Sequence, residues 1–230
     1  MTIAFFDLDG TILSVNSGSM WIRRELRLGK ITRGQALRGA LWALLYNLGF
    51  ARMEGFLQRA LATLRGVPQR EIAERTRDFW REEVIRTIRP GAMVAIEHHR
   101  SRGDAVVLLT SSSLYLSEAV REHLRLDEAL CNRFQVDGEL LTGRLEGDLC
   151  YGKGKIAHAR ACTERRGARI EECIFYTDSY SDLPMLLTVG HPVVVNPDLR
   201  LRFVASRRGW PIVDWQRLSL PGNDTRRLLT

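Results

Sequence analysis

Four apolar residues, Ile3-Ala4-Phe5-Phe6, run without a break into Asp7-Leu8-Asp9-Gly10-Thr11. A short, continuously apolar run of this kind predicts a strand over 3–7, buried on both faces of a sheet. The same device recurs twice. Ala105-Val106-Val107-Leu108-Leu109 leads into Thr110-Ser111-Ser112-Ser113, and Cys173–Thr177 leads into Asp178 and Asp182. Polar side chains gathered just past buried strands sit where open α/β sheets hold their ligands.

Helical signals fill the gaps. Helices are expected over 91–101, 114–124, 154–166, 181–187 and 199–205, and further strands over 192–195 and 211–213. Phe134–Leu141 carries an Asp137-Gly138 turn between short strands, the mark of a hairpin. From 17 to 87 the period is helical throughout. Met20, Leu26, Leu28, Ala36, Leu37, Leu41, Leu44 and Leu45 fall on stripes with arginines opposite. Leu57, Leu61 and Leu64, then Ile72, Phe79, Trp80 and Val84, continue the pattern around a Gly66-Val67-Pro68 break. Arg89-Pro90-Gly91 closes this block. The expected architecture is α/β: a doubly wound parallel sheet from residues 1–13 and 89–230, with an all-helical module, 14–88, inserted after the first strand.

Cys131, Cys150, Cys162 and Cys173 form no C-x-x-C pair and no zinc spacing with His158 or His191, so they are expected to be reduced and partly buried. The N-terminus has no signal-peptide pattern. The most apolar stretch, 40–50, is short of the ~20 residues a membrane span needs. A cytoplasmic location is expected.

If the strand ends converge, Asp7, Asp9, Asp178 and Asp182 approach one another. Each like-charged pair at ~4 Å costs about 4 kcal/mol at an effective dielectric near 20, so such a cluster calls for a cation. Oxygen donors without His or Cys favour Mg²⁺, which keeps waters and takes one or two carboxylates plus substrate phosphate. Thr110 and a lysine from Gly152-Lys153-Gly154-Lys155 would complete a cradle for a phosphoryl group.

Asp-Leu-Asp-Gly-Thr (7–11), Leu-Leu-Thr (108–110), Lys155, and Asp178 with Asp182 resemble the motifs of the haloacid dehalogenase superfamily, over nearly the whole chain. The closest resemblance is to the phosphoserine-phosphatase-like subfamily with a helical cap. Leu141-Thr142-Gly143 and Asn196-Pro197-Asp198 also look like this subfamily. The resemblance implies a Mg²⁺-dependent phosphatase of a small phosphorylated metabolite. Asp7 would be the nucleophile and Asp9 the general acid and base. Asp7, the Asp9 backbone carbonyl and Asp178 would hold the metal, with Asp182 behind them. Thr110, Ser111, Lys155 and Asn16 would contact substrate, and Lys153 is the alternative to Lys155. A second aspartate separates phosphatases from dehalogenases, whose halide leaving group needs no proton. Where phosphoserine phosphatases carry a glutamate, nine residues after the nucleophile, this chain has Asn16, which accepts a hydrogen bond but offers no charge. Arg59 and Arg65 are the alternatives for a carboxylate-binding cap arginine.

The net charge is +7, from 34 basic and 27 acidic residues. Segment 14–88 holds 14 of the basic and seven of the acidic ones, so the entire excess lies in the helical module. It reads as a solvated face, as a field drawing phosphorylated anions to the site, or as a docking face for an acidic surface. A helix from about Ile31 to Leu48 would suit a membrane surface. That leaves an alternative of another class, a phosphate-ligand- or membrane-binding protein with little turnover. Nucleic acid is not expected as a partner, since no binding motif accompanies the charge. Nothing in the sequence sets an oligomeric state.

Overall fold

A computed structural model describes residues 2–34, 37 and 53–216. The apolar 40–50 stretch, most of the expected 31–48 helix and the tail beyond Gln216 lie outside the described residues. Seven strands form one sheet: β1 (Ile3–Phe6), β2 (Ala105–Ser113), β3 (Glu128–Asp137), β4 (Leu140–Glu146), β5 (Ile174–Thr177), β6 (His191–Val195) and β7 (Ile212–Val213). Their order is β4-β3-β2-β1-β5-β6-β7, parallel except for the β3–β4 hairpin. The helices of this core are α4 (Pro90–Ser101), α5 (Leu114–Leu124), α6 (Gly154–Arg165), α7 (Leu183–Leu186) and α8 (Leu199–Arg208). Two apolar clusters lie on opposite faces of the sheet, one with Ala4 and Phe6 and the other with Ile3 and Phe5, as strand alternation requires.

From β1 the chain winds outward through β2 and β3 on one side and later through β5 to β7 on the other. The crevice beyond the carboxyl end of β1 is therefore the topological switch point. Strand register sets the level of the residues at this crevice. Phe6 pairs with Leu108 and with Tyr176, so Asp7, Thr110 and Asp178 emerge from three adjacent strands at nearly one level. The Asp7 N–H donates to Tyr176 O at 2.9 Å and keeps β1 anchored up to that residue. β2 is longer than the 105–109 expected. It continues to Ser113 through an irregularity against β3, so Thr110 and Ser111 belong to the strand rather than to a loop after it.

The helical module contributes α1 (Ser17–Arg27), α2 (Met53–Ala62) and α3 (Gln69–Phe79), the last running on into a π-turn, Trp80–Val84, and a 3₁₀ turn, Ile85–Thr87. Its two connections to the sheet pair with each other. Ser14 N–H donates to Thr87 O and Arg89 N–H to Ile12 O, both at 2.8 Å. A second attachment lies at the hairpin, where Gly66 N–H donates to Leu141 O and Leu141 N–H to Val67 O, covering the outer edge of β4. Gly143 has a φ of +77°, and a β-carbon there would press on Leu61 O at 3.1 Å. The module shares its apolar cluster with the sheet, since Phe79, Trp80 and Val84 pack with Phe6 and Leu108 and take in Met20 and Trp21.

One expectation is corrected on α1. The helical period places Leu26 and Leu28 on the buried stripe with arginines outside, yet Leu28 is 52% exposed, Leu26 lies at the surface, and Arg24 and Glu25 are buried. The reason is electrostatic. Arg24 Nη1 donates to Glu82 at 2.6 Å and to Glu83 at 2.7 Å, both from the π-turn, and Arg27 also pairs with Glu83. Arg75 of α3 pairs with Glu25 and Glu71. This seam of ion pairs turns the polar face inward. Leu37, from the next part of that stripe, is 70% exposed. Part of the module's basic charge is thus matched within the module.

Candidate active site

Lys155, two residues into α6, reaches back beneath the switch point. Its Nζ donates to Asp7 Oδ1 and to Asp182 Oδ2, each at 2.8 Å, and only 2% of the residue is exposed. Lys153 is exposed at the start of the same helix, so it is Lys155 that meets the carboxylates. Thr177 Oγ1 donates to the same Asp182 oxygen at 2.7 Å, while Asp182 Oδ1 is buried with no partner among the described residues. Thr11 Oγ1 donates to Asp178 Oδ1 at 3.1 Å. Gly10 has a φ of +78°, and a β-carbon at that position would lie 2.1 Å from Asp178 Oδ2. Glycine is thus needed twice over, for its backbone conformation and for the room it leaves the carboxylate.

Of the four aspartates, Asp9 stands apart from the expected cluster, while Asp182 and Asp178 both bear on Asp7. Asp9 turns toward α1, where its Oδ1 accepts the Ser17 N–H at 2.9 Å. The unsatisfied amide groups at a helix start attract a carboxylate, which explains the departure. Among the described residues no three His, Cys, Asp or Glu side chains gather as a ligand group. Asn16 caps the same helix, its Oδ1 accepting from Ser19 N at 2.8 Å, so the oxygen expected to meet substrate is engaged and only the amide nitrogen is left to donate. Thr110 is buried, with Oγ1 accepting from Ser112 N at 3.1 Å and its hydroxyl proton left to give. Ser111 is exposed, and its carbonyl is held by Asn132 Nδ2 at 2.7 Å. Arg59 and Arg65 are both exposed, the latter against Gly143 at the hairpin.

Burial raises the Asp7 carboxyl to about 8; the Lys155 ammonium opposes the rise, while Asp182 and Asp178 add to it. Burial likewise pushes Asp178 up to about 7 against the Thr11 hydrogen bond, and raises Asp9 against its bonds from Ser17. For Lys155, burial favours the neutral amine, but Asp182 and Asp7 outweigh it and hold the ammonium above its ordinary value. Buried carboxyls raised in this way beside a fixed ammonium want a further cation. The donor set fits Mg²⁺: Asp7 and Asp178 offer two hard carboxylates, and the Asp182 oxygen, unpartnered among the described residues, stands ready for an ordered water.

These shifts make stability depend on pH. Asp7 and Asp178 titrate near 8 and 7 in the folded chain and near 4 when unfolded, so between about pH 4 and 8 the folded state binds more protons. Stability of the metal-free protein is therefore expected to fall as pH rises through that window. Urea unfolding in EDTA at pH 5 and pH 8 checks this. A midpoint that holds or rises at pH 8 contradicts it, and added Mg²⁺ is expected to restore stability most at pH 8.

The sequence places Gly10 and Thr11 in a motif without giving either a role, and it passes over two further residues that frame the site, Thr177 and Arg89. Thr177, a hydroxyl closing an otherwise apolar run, could have signalled a partner. Arg89, ahead of Pro90, reads only as a stop signal.

Comparison with known proteins bears on the family and the fold. The family model for haloacid dehalogenase-like hydrolases matches residues 4–187. A Mycobacterium tuberculosis protein named phosphoserine phosphatase SerB1 is 32% identical over 219 residues, covering 93% of this chain and 70% of the relative. A Neisseria meningitidis protein named histidinol-phosphatase is 27% identical over 220 residues, covering 93% and 99%. Among solved structures, a Bordetella pertussis protein of unknown function superposes with a TM-score of 0.86 at 25% identity, covering 94% of this chain and all of that one. A phosphoserine phosphatase described as a phospho-aspartyl intermediate analogue shares the fold, with a TM-score of 0.68 at 19% identity, covering 94% and 93%. With the family model spanning most of the sheet and the strand-end motifs inside it, the chain belongs to the haloacid dehalogenase-like hydrolase family.

Proposed function

We propose that the chain is a Mg²⁺-dependent phosphatase that hydrolyses a small phosphomonoester through an aspartyl-phosphate formed on Asp7. The observation that carries this reading is the Asp7 carboxylate at the switch point, held at 2.8 Å by a buried lysine. The fixed ammonium neutralises charge beside the nucleophile and orients it. Asp7 attacks phosphorus, the ester oxygen leaves, and the Thr110 hydroxyl donates a hydrogen bond to a phosphoryl oxygen. Asp9, its carboxyl raised by burial, gives a proton to the leaving alkoxide and then takes one from the water that releases phosphate. Mg²⁺ bound at Asp7 and Asp178, with the Asp9 backbone carbonyl, would supply charge for the developing phosphoryl oxygens. Residues 14–88 act as the cap over this site, and four unpaired cysteines suit the reducing cytoplasm.

The substrate is a small phosphorylated metabolite. The two named relatives point to different ones, phosphoserine and histidinol phosphate. Asn16, with its oxygen spent on capping α1, weakens the case for an ammonium-bearing substrate. Turnover of a phosphometabolite panel with Mg²⁺ or EDTA tests the function. Asp9→Asn adds a sharper arm. It is expected to cost about 10²–10⁴-fold on alkyl phosphates and much less on p-nitrophenyl phosphate, whose leaving group needs little protonation. Equal losses on both classes would remove Asp9 as the acid. Inactivity of folded wild type across the panel would favour a binding protein.

A further inference from the structure

Arg89 is the last residue before the chain re-enters the sheet domain from the helical module, and it is only 7% exposed. Its backbone N–H closes the hinge by donating to Ile12 O. Its Nε donates to Gly10 O at 3.2 Å, and its Nη1 to Gln216 Oε1 at 2.7 Å. Asp178 and Asp214 are the acids whose charge it feels. The Gly10 carbonyl is no arbitrary acceptor. Gly10 lies against the Asp178 carboxylate so closely that no β-carbon fits between them, and it sits between Asp9 and Thr11, which donates to Asp178. The anchor behind the guanidinium is itself fastened. Trp215 N–H donates to Asn196 Oδ1 at 3.0 Å, and Gly91 N–H donates to Trp215 O at 3.2 Å.

We propose that Arg89 is a positioning residue that locks the Asp7–Thr11 loop onto the Asp178 corner of the site from the second hinge of the cap. One planar group joins the hinge to the Gly10 carbonyl and to Gln216, so a displacement of the hinge is carried to that carbonyl. The inference rests on the metal-dependent reading of the site, and concerns geometry rather than charge. The two can be told apart by Arg89→Lys: if only positive charge mattered, this variant, which keeps the charge, would match wild type. If Arg89 holds the corner in shape, removing it weakens binding, by about tenfold or more as for other residues supporting metal ligands.

The test measures half-saturating Mg²⁺ from thermal shifts of substrate-free protein, beside p-nitrophenyl phosphate turnover, for wild type, Arg89→Gln, Arg89→Lys and Gln216→Ala. The expected result is a rise of about tenfold in half-saturating Mg²⁺ for Arg89→Gln. Arg89→Lys is expected to fall short of wild type because one ammonium cannot span both acceptors, and Gln216→Ala to shift in the same direction by less. A lower melting temperature with unchanged half-saturating Mg²⁺ would reduce Arg89 to a structural residue and overturn the proposal. Arg89→Lys matching wild type would overturn it in favour of charge alone. No Mg²⁺-dependent shift in wild type would remove the metal reading and this proposal together. A shifted Mg²⁺ response in a protein that hydrolyses no phosphomonoester would leave Arg89 standing and remove the phosphatase reading.

Discussion

Asp7→Asn is expected to lower kcat by about 10⁴-fold or more while leaving the fold intact, because the amide keeps the shape of the side chain and loses its nucleophilic oxygen. The expected stability change makes the result specific. Asp7 is a buried carboxyl whose charged form is disfavoured by burial and by Asp182 and Asp178. Because Lys155 keeps Asp182 as its counter-charge, replacing Asp7 with a neutral amide is expected to leave the metal-free protein at least as resistant to urea at pH 8 as wild type. Loss of activity with matched or higher stability identifies a catalytic group rather than a structural one. Wild-type turnover in Asp7→Asn would remove the nucleophile assignment.

The second large effect is expected at Lys155. Its ammonium lies between Asp7 and Asp182 with almost no access to water, and Asp182 has one further oxygen already without a partner among the described residues. Lys155→Met fits the stem but leaves the Asp7 and Asp182 carboxyls without their shared donor, and removing one partner of a buried pair in this way costs about 3–5 kcal/mol. Both unfolding and turnover are expected to report it. The double variant Asp7→Asn/Lys155→Met is expected to be more stable than Lys155→Met alone, since a neutral amide at position 7 needs no counter-charge. Urea melts of the four proteins check this. A cycle with no coupling would mean that the 2.8 Å contact does not hold the two charges together.

The sheet and the chemistry at its edge were legible because both arise from local pattern. Apolar runs such as Ile3–Phe6 and Ala105–Leu109 leave a strand little choice, and carboxylates or hydroxyls directly after them emerge where parallel strands end. Lys155 was legible through its glycines; a β-carbon on Gly154 would collide with Leu149 O, so the turn into α6 is fixed by sequence. The helical module was less readable. Hydrophobic period marks a helix but not which face turns inward once ion pairs compete, as Arg24 and Glu25 inside and Leu28 outside illustrate. The direction taken by the Asp9 carboxylate was hidden too, because the amide that attracts it belongs to Ser17 on the next element. Arg89 was invisible for a related reason. Its three acceptors lie at positions 10, 12 and 216, and no local pattern joins them.

The central claim is a covalent phosphoryl group on Asp7. Wild-type protein is mixed with Mg²⁺ and a phosphomonoester that it hydrolyses, quenched in acid during turnover, and treated with borohydride, which reduces an acyl phosphate to an alcohol. Peptide mass spectrometry then reads position 7. Homoserine in place of Asp7 is the expected product, dependent on substrate and Mg²⁺ and absent from Asp7→Asn. Active turnover with Asp7 unmodified, or with the reduction found at Asp9 instead, would contradict the assignment.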